Sequence, residues 1–355
     1  MCAEAPSNEI AAAVAGTVDG MQSVARSIQR SGMFLRRRDL LKRGYRDRDI
    51  RRALGAREVF RVRQGWYSVP SAPAHAVRAV RVGGRLTGVS ALASYGLRVP
   101  RREYLHVAVP TNARRLRAPL DRRRLLVATD RVRVHWIDSR RELHSSPWRV
   151  TIDDALLAVL IEEPRDIAVA CASAVLRHRR LSAARLHAVF ARAPQRVRCW
   201  LALVSALDDS HGETFVRLWF HDAGIWFEQQ AAVEGIGRLD FRVSPNVYVE
   251  VDGAQHDPSW SGEGESSYEH DHDRDAALAA RNGRSLRWTY RQLYSRWAEC
   301  LAAMETAVLD DLELTARRLR HPAPPRSLAR LRAAYVVPKR GRSRTHGPPT
   351  AGSGP

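Results

Sequence analysis

Acidic residues alternate with apolar ones in two consecutive strand-like segments near residue 240. Asp240 lies between Leu239 and Phe241 in the first segment, and the second ends in Glu250 and Asp252. Because strand side chains alternate between two faces, we expect Leu239 and Phe241 to pack inward and the three carboxylates to share the other face of a hairpin. Carboxylates so close repel one another and suit a divalent cation, Mg²⁺ or Mn²⁺. The pattern therefore predicts Asp240, Glu250 and Asp252 as metal ligands, or else a solvated polar face.

The elements that must position this hairpin are a helix before it and a helix and a strand after it. An amphipathic pattern predicts a helix over 212–220, with Glu213 in its first turn. After the hairpin come His256, a helix predicted over 268–281 and a strand predicted over 285–290. The order is helix, hairpin, helix, strand.

These residues and their order resemble the PD-(D/E)xK nuclease superfamily, and within it the very-short-patch-repair-like endonuclease domains. The resemblance covers roughly residues 212–309 and implies a restriction-endonuclease-like α/β domain that hydrolyses DNA phosphodiesters with Mg²⁺ or Mn²⁺. It assigns Arg274 and Arg287 to phosphate binding, because the guanidinium fork matches two phosphate oxygens. The catalytic residues that it implies are Glu213, Asp240, Glu250, Asp252 and His256.

One position departs from the pattern of that superfamily. The residue two after the glutamate is usually lysine and is here Asp252, and the chain's two lysines, Lys42 and Lys339, lie far away in sequence. Activation of water is therefore left to the metal ion or to His256. The departure also keeps open a non-enzymatic interpretation, in which the domain only binds DNA.

The charge of the chain favours a polyanionic partner. Its formal net charge is +20 and its pI is near 11.0, and exposed basic residues bind phosphate backbones with release of counterions. All but two of the 58 basic residues are arginine, which is also the bias that a GC-rich genome imposes on all its proteins. DNA is the partner that we expect.

Cysteine spacing and hydropathy disfavour other classes of protein. The four cysteines are far apart, which disfavours a zinc site and a disulfide framework. No segment has the pattern of a signal peptide or the length of a membrane span, so we expect a cytoplasmic protein with no membrane partner.

A second DNA-binding candidate lies near the start, in residues 22–70. Three short helical patterns, the third with Asp47 as its N-cap, are followed by a predicted hairpin over 59–69. Arg48, Arg51 and Arg52 lie off the apolar face of the third helix, where they would reach DNA or remain a solvated face. The pattern predicts a winged helix-turn-helix, a fold that also serves as a protein-binding module.

The same residues resemble the N-terminal domain of the AbiEi-type antitoxins of type IV toxin-antitoxin systems, on the arginine-rich helix and the Gly65-Trp66-Tyr67 wing. That resemblance implies DNA binding and a cognate toxin protein as a further partner.

The sequence thus predicts a multidomain chain of α/β and α+β parts. We expect a DNA-binding protein with a metal-dependent endonuclease domain, active in defence or repair. The alternative is a non-catalytic transcriptional regulator or antitoxin. The predicted parts are a disordered lead (1–21), a winged helix-turn-helix (22–70), an α+β connecting domain (71–208), a nuclease-like domain (209–312) and a basic Pro/Gly-rich tail (313–355).

Overall fold

Residues 23–100, 103–137, 146–252 and 265–319 are described by this computed structural model, which gives only the backbone for 265–271. They form a mixed α/β structure with three small sheets, in two compact units. One unit comprises the residues up to 96 together with 101–158, and the other comprises 97–100 together with the residues after 158. His256, the lead at 1–21 and the tail after 319 lie outside the described residues.

The first unit begins with three helices and a three-stranded antiparallel sheet of order β1-β3-β2. Its helices and strands up to residue 137 are α1 (Val24–Arg30), β1 (Phe34–Arg36), α2 (Arg37–Lys42), α3 (Asp47–Gly55), β2 (Phe60–Arg63), β3 (Trp66–Ser68), α4 (Ala74–Val82), β4 (Arg85–Leu86), α5 (Gly88–Ser94), β5 (Leu105–Pro110) and β6 (Val132–Ile137).

The three predicted helices and the predicted hairpin are confirmed as elements of this unit. The apolar faces of α1, α2 and α3 meet in a buried cluster that contains Ile28, Leu40, Ile50 and Tyr67. The prediction that Asp47 caps α3 is wrong, because Asp47 is the first helical residue. The carboxylate of Asp49 accepts the Arg46 N–H at 2.8 Å instead.

A second sheet of the first unit has the order β4-β5-β6, with β5 and β6 parallel. The neighbouring strands bring together two histidines that no spacing in the sequence connects. His135 Nε2 lies 3.2 Å from Nδ1 of His106, which is buried.

Helix α6 (Ile152–Glu162) crosses the boundary between the units at residue 158. The stretch predicted as one connecting domain, 71–208, is therefore divided between them. The remaining elements are α7 (Arg165–Arg177), α8 (Ala183–Arg192), α9 (Gln195–Arg198), α10 (His211–Ala223), β7 (Glu228–Val233), β8 (Gly237–Arg242), β9 (Val247–Asp252), α11 (Glu265–Ala280), β10 (Arg284–Thr289), α12 (Tyr290–Ser295) and α13 (Trp297–Leu319).

The helical segment that begins with α9 ends at residue 203. Helix α9 passes into a short 3₁₀ turn over Cys199–Leu203, and Val204 is extended. Beyond this turn, serine hydroxyls accept the backbone N–H groups that would otherwise donate within a helix. The Ser205 N–H donates to the Ser173 hydroxyl, and the Leu207 N–H donates to the Ser205 hydroxyl.

The sheet of the second unit has the order β10-β9-β8-β7, with β10 parallel to β9 and the other pairs antiparallel. The predicted helix, hairpin, helix and strand are all present in this part. Aromatic residues of α10, β8, β10 and α13, such as Phe220, Phe241, Trp288 and Trp297, fill the core on one side. Helix α13 continues past the predicted end of the nuclease-like domain at 312, because residues as far as Ala316 are still buried.

Within the described ranges, every helix is too short or too polar to cross a membrane.

Candidate nuclease site

Helix α10 carries Glu213 against the sheet. Ser210 caps the helix, and its hydroxyl accepts the Glu213 N–H at 3.1 Å. Gly212 permits the close approach, because a Cβ at this position would meet Val251 Cγ1 of β9 at 2.7 Å. The first turn of α10 is thereby held on the strand that carries Glu250 and Asp252.

The Glu213 side chain is buried and held by two donors. Its Oε2 accepts the Asp209 N–H at 2.9 Å and the Gln230 Nε2 at 3.2 Å. Burial, and next the nearby charge of Asp240, raise the pKa of Glu213 to about 8. Glu213 therefore retains a proton near neutral pH in the metal-free protein.

A second buried carboxylate, Asp208, fixes the start of α10. Arg217 donates to both of its oxygens at 2.8 and 2.7 Å, and Thr214 and Gln229 donate at 2.8 and 2.6 Å. The bidentate pairing compensates the buried charge, which explains why an acidic side chain is tolerated there.

Asp240 lies where the regular pairing of the hairpin stops. Strands β8 and β9 pair at Phe241 with Val249 and at Arg242 with Tyr248. Beyond that point the Asp240 carboxylate accepts the Val251 N–H at 2.8 Å, so a side-chain bond continues the contact between the strands.

This irregularity corrects the predicted packing of β8. Leu239 and Phe241 were expected on one inward face, but they belong to different apolar clusters. Leu239 packs with Tyr248 and Leu278, whereas Phe241 packs with Val249. The strand leaves the regular pleat at Asp240, so the alternation of faces does not continue through that residue.

Burial raises the pKa of Asp240 to about 6, and the charges of Glu250 and Asp252 add to the effect. The Val251 N–H and the Arg274 guanidinium act in the opposite direction. The four carboxylates that the sequence singled out are thus neighbours in one half-buried site.

Glu250 is compensated by cationic and hydroxyl donors. Ser285 donates to its Oε1 at 2.7 Å, Arg274 donates to its Oε2 at 3.1 Å, and Arg287 Nε lies 3.6 Å from Oε1. Arg287 is also the register partner of Glu250 across β9 and β10, and it pairs with Asp275 at 3.0 Å. Both predicted phosphate ligands therefore contact a predicted metal ligand.

The donor chemistry fits a hard divalent cation, since the carboxylates of Glu250 and Asp252 lie near Asp240 and add to the effect of burial in raising its pKa. The present arrangement of these carboxylates does not form a cation site. In the part of the chain that the structure describes, no group of three or more His, Cys, Asp or Glu side chains is placed to hold a metal ion. Both oxygens of Glu250 accept hydrogen bonds from Ser285 and Arg274, so a cation at Glu250 would compete with the positive charge of Arg274.

Asp311 of α13 holds the turn of the hairpin. Its carboxylate accepts the Ser244 hydroxyl at 2.6 Å, the Asn246 N–H at 3.0 Å and the Asn246 side-chain amide at 2.8 Å. Sequence reasoning missed this residue, because nothing in the pattern joins positions 65 residues apart. It also missed Asp208, Gln229, Gln230 and Ser285, which are single polar residues without a motif.

In the first unit, the three candidate arginines of α3 are all exposed, whereas Ile50 and Ala53 of the same helix are buried. Arg51 Nε lies 3.4 Å from the Asp47 carbonyl oxygen, and Arg48 Nε lies 3.8 Å from the Asp49 carboxylate. Such long contacts at the surface leave the guanidinium groups accessible to a phosphate backbone.

No family model and no curated protein matches the chain. Among solved structures, the catalytic domain of the homing endonuclease I-Bth0305I is similar to part of it, with 17% identity, a TM-score of 0.22, and coverage of 26% of this chain and 90% of that domain. A likeness of this size is too weak to assign a function.

Proposed function

We propose that the chain is a DNA-binding protein whose second unit is a metal-dependent endonuclease that hydrolyses DNA phosphodiesters. The observation that carries this proposal is the convergence of carboxylates from α10, β8 and β9 in one half-buried site beside two arginines. Those carboxylates belong to Glu213, Asp240, Glu250 and Asp252.

The side chains of the site divide three tasks among them in this proposal. Asp240, Glu250 and Asp252 would hold Mg²⁺ or Mn²⁺, which would supply an activated water and neutralise charge at the phosphate. Glu213 keeps its proton near pH 7, so it adds no negative charge where the phosphate must approach. Arg274 then offers two parallel donors to phosphate oxygens.

A cleavage assay on supercoiled plasmid tests the proposal. We expect nicked or linear product with Mg²⁺ or Mn²⁺ and none with EDTA, because carboxylates alone cannot neutralise the charge of the phosphate. Intact plasmid under every metal condition would remove the nuclease assignment.

The contacts of Glu250 predict that metal and DNA bind cooperatively. Phosphate would draw Arg274 away from Glu250 and release the carboxylate for the cation, so Mn²⁺ should bind more tightly when a DNA duplex is present. Arg274→Gln should raise the affinity for Mn²⁺ without DNA by about three- to tenfold, which corresponds to roughly 1 kcal/mol for one partly screened ion pair. Calorimetric titration with Mn²⁺, with and without duplex, measures both effects.

The matched control is Arg291→Gln, which removes one exposed positive charge from the same unit. It should leave the Mn²⁺ affinity within about twofold of wild type, because an exposed charge without this contact contributes little. An equal rise in both variants would mean that net charge, and not the contact with Glu250, sets the affinity.

A non-catalytic regulator or antitoxin is the second candidate, and a specific observation favours it. Glu250 is already compensated by Arg274 and Ser285, and position 252 carries aspartate in place of a lysine. A domain of this kind would bind DNA, and a toxin partner, without cleaving. Metal-independent DNA binding with no cleavage in the plasmid assay would select this candidate.

The first unit supports DNA binding in either case. In this proposal the helix, strand, two helices and hairpin of the unit form a winged helix-turn-helix, whose DNA-facing surface would be the exposed arginines of α3. Reversal of Arg48, Arg51 and Arg52 to glutamate should weaken binding to duplex DNA. The dependence of log affinity on log salt should become shallower by up to about 0.9 for each phosphate that the variant no longer neutralises.

Reversal of the exposed Arg114, Arg122 and Arg123 is the control, because it changes the net charge of the same unit equally. This control should have a smaller effect on the salt dependence than the α3 variant. If the α3 variant keeps the wild-type salt dependence, α3 is a solvated or protein-binding face.

A further inference from the structure

Gln230 of β7 has an unusual backbone for a strand residue. Its φ is +55°, in the left-handed region that disfavours side chains other than glycine, asparagine and aspartate. The neighbouring pairs between β7 and β8 are Gln229 with Phe241 and Ala231 with Leu239. Gln230 and Asp240 therefore lie opposite each other, at the point where both strands are irregular.

The left-handed backbone of Gln230 sets the direction of two consecutive side-chain amides, those of Gln229 and Gln230. In a regular strand, neighbouring side chains lie on opposite faces. Here Gln229 Nε2 donates to Asp208 at 2.6 Å and Gln230 Nε2 donates to Glu213 at 3.2 Å, so both amides reach the start of α10. Residues in rare backbone conformations persist where the surroundings hold them, and they concentrate at functional sites.

We propose that Gln230 is a positioning residue of the endonuclease site, whose amide holds the Glu213 carboxyl group beside Asp240. The inference rests on the proposed function and adds a residue to it. Two independent observations carry it, namely the hydrogen bond to Glu213 and the left-handed backbone opposite Asp240. The strained conformation is retained because it directs the amide to Glu213.

Two substitutions separate the amide from the backbone. Gln230→Gly removes the amide and relieves the left-handed strain, whereas Gln230→Met removes the amide and keeps the strain. Both should lower kcat for Mn²⁺-dependent plasmid cleavage by about 10- to 100-fold with KM for DNA unchanged, because the site is misaligned and not emptied. The glycine variant should melt above the methionine variant.

Asn282→Gly is the matched control, because Asn282 also has a positive φ, of 58°, and carries an amide in the turn between α11 and β10. It should keep wild-type kcat. Wild-type kcat in both Gln230 variants would overturn the inference and leave the proposed function intact. A glycine variant that melts at a lower temperature than the methionine variant would have the same meaning. A wild-type protein that cleaves under no metal condition would remove both proposals, an outcome distinct from the others.

Discussion

Asp240→Asn is expected to abolish metal-dependent cleavage, with a loss on the order of 1,000-fold or more. The change removes a proposed ligand charge but preserves the shape of the side chain, and the amide oxygen can still accept the Val251 N–H. Because the half-buried Asp240 carboxylate lies near the acidic groups of Glu213, Glu250 and Asp252, the metal-free variant should melt at the same temperature or higher. The gain in the free energy of unfolding should be largest above pH 6, where Asp240 is charged in the wild type.

Glu250→Gln should also lose cleavage, but its stability should change in the opposite direction. The carboxylate of Glu250 is compensated by Arg274, Arg287 and Ser285, so its neutralisation leaves two guanidinium groups less well paired. A drop of about 1 kcal/mol in the free energy of unfolding is expected. Removal of the Glu250 charge is therefore not expected to stabilise the metal-free protein as removal of the Asp240 charge does.

Plasmid cleavage and thermal melting of both variants check these expectations together. Cleavage by highly purified Asp240→Asn at the wild-type rate would remove Asp240 from the site. Equal stability changes in the two variants would contradict the different environments of the two carboxylates.

The stability of the metal-free protein should fall as the pH rises from about 4 to about 8. Asp240 and Glu213 have folded-state pKa values of about 6 and about 8, above their ordinary values of 3.8 and 4.5. The unfolded chain therefore binds fewer protons than the folded chain in this window, and the free energy of unfolding decreases with pH. For Asp240 alone, the difference corresponds to roughly 3 kcal/mol.

Urea unfolding of wild type and Asp240→Asn at half-unit pH steps measures this effect, because titrating groups that do not interact with Asp240 contribute equally to both proteins. The difference in stability should grow in favour of the variant between pH 4 and 6. The variant should also show a weaker decrease up to pH 8, since the charge of Asp240 is one cause of the raised pKa of Glu213. Parallel curves across the window would show that Asp240 is charged at no cost in the folded state.

Sequence patterns predicted the elements of the candidate site because those elements are local. The apolar period of α10 and the alternation in β9 each depend on a few consecutive residues, and both elements are present with bounds close to those expected. Strand alternation assigned Asp240, Glu250 and Asp252 to one site, and the resemblance added Glu213.

The remaining features depend on long-range contacts that leave no local pattern. Strand β7 begins with Glu228, Gln229 and Gln230, a polar run that no alternation marks as a strand, and it is held by pairing with β8. Strand β1 has only three residues, and it is held in the sheet by antiparallel pairing with β3. The change of face at Leu239 coincides with the hydrogen bond from the Val251 N–H to the Asp240 carboxylate, which periodicity cannot anticipate.

The bond from the Val251 amide to the Asp240 carboxylate makes one backbone group a spectroscopic reporter on the site. An amide that donates to a charged carboxylate forms a stronger bond than one that donates to the neutral acid. The proton resonance of this amide should therefore shift as Asp240 titrates. In ¹⁵N-labelled protein, a single cross-peak would then follow the protonation of the site, or its occupation by a cation, with no DNA present.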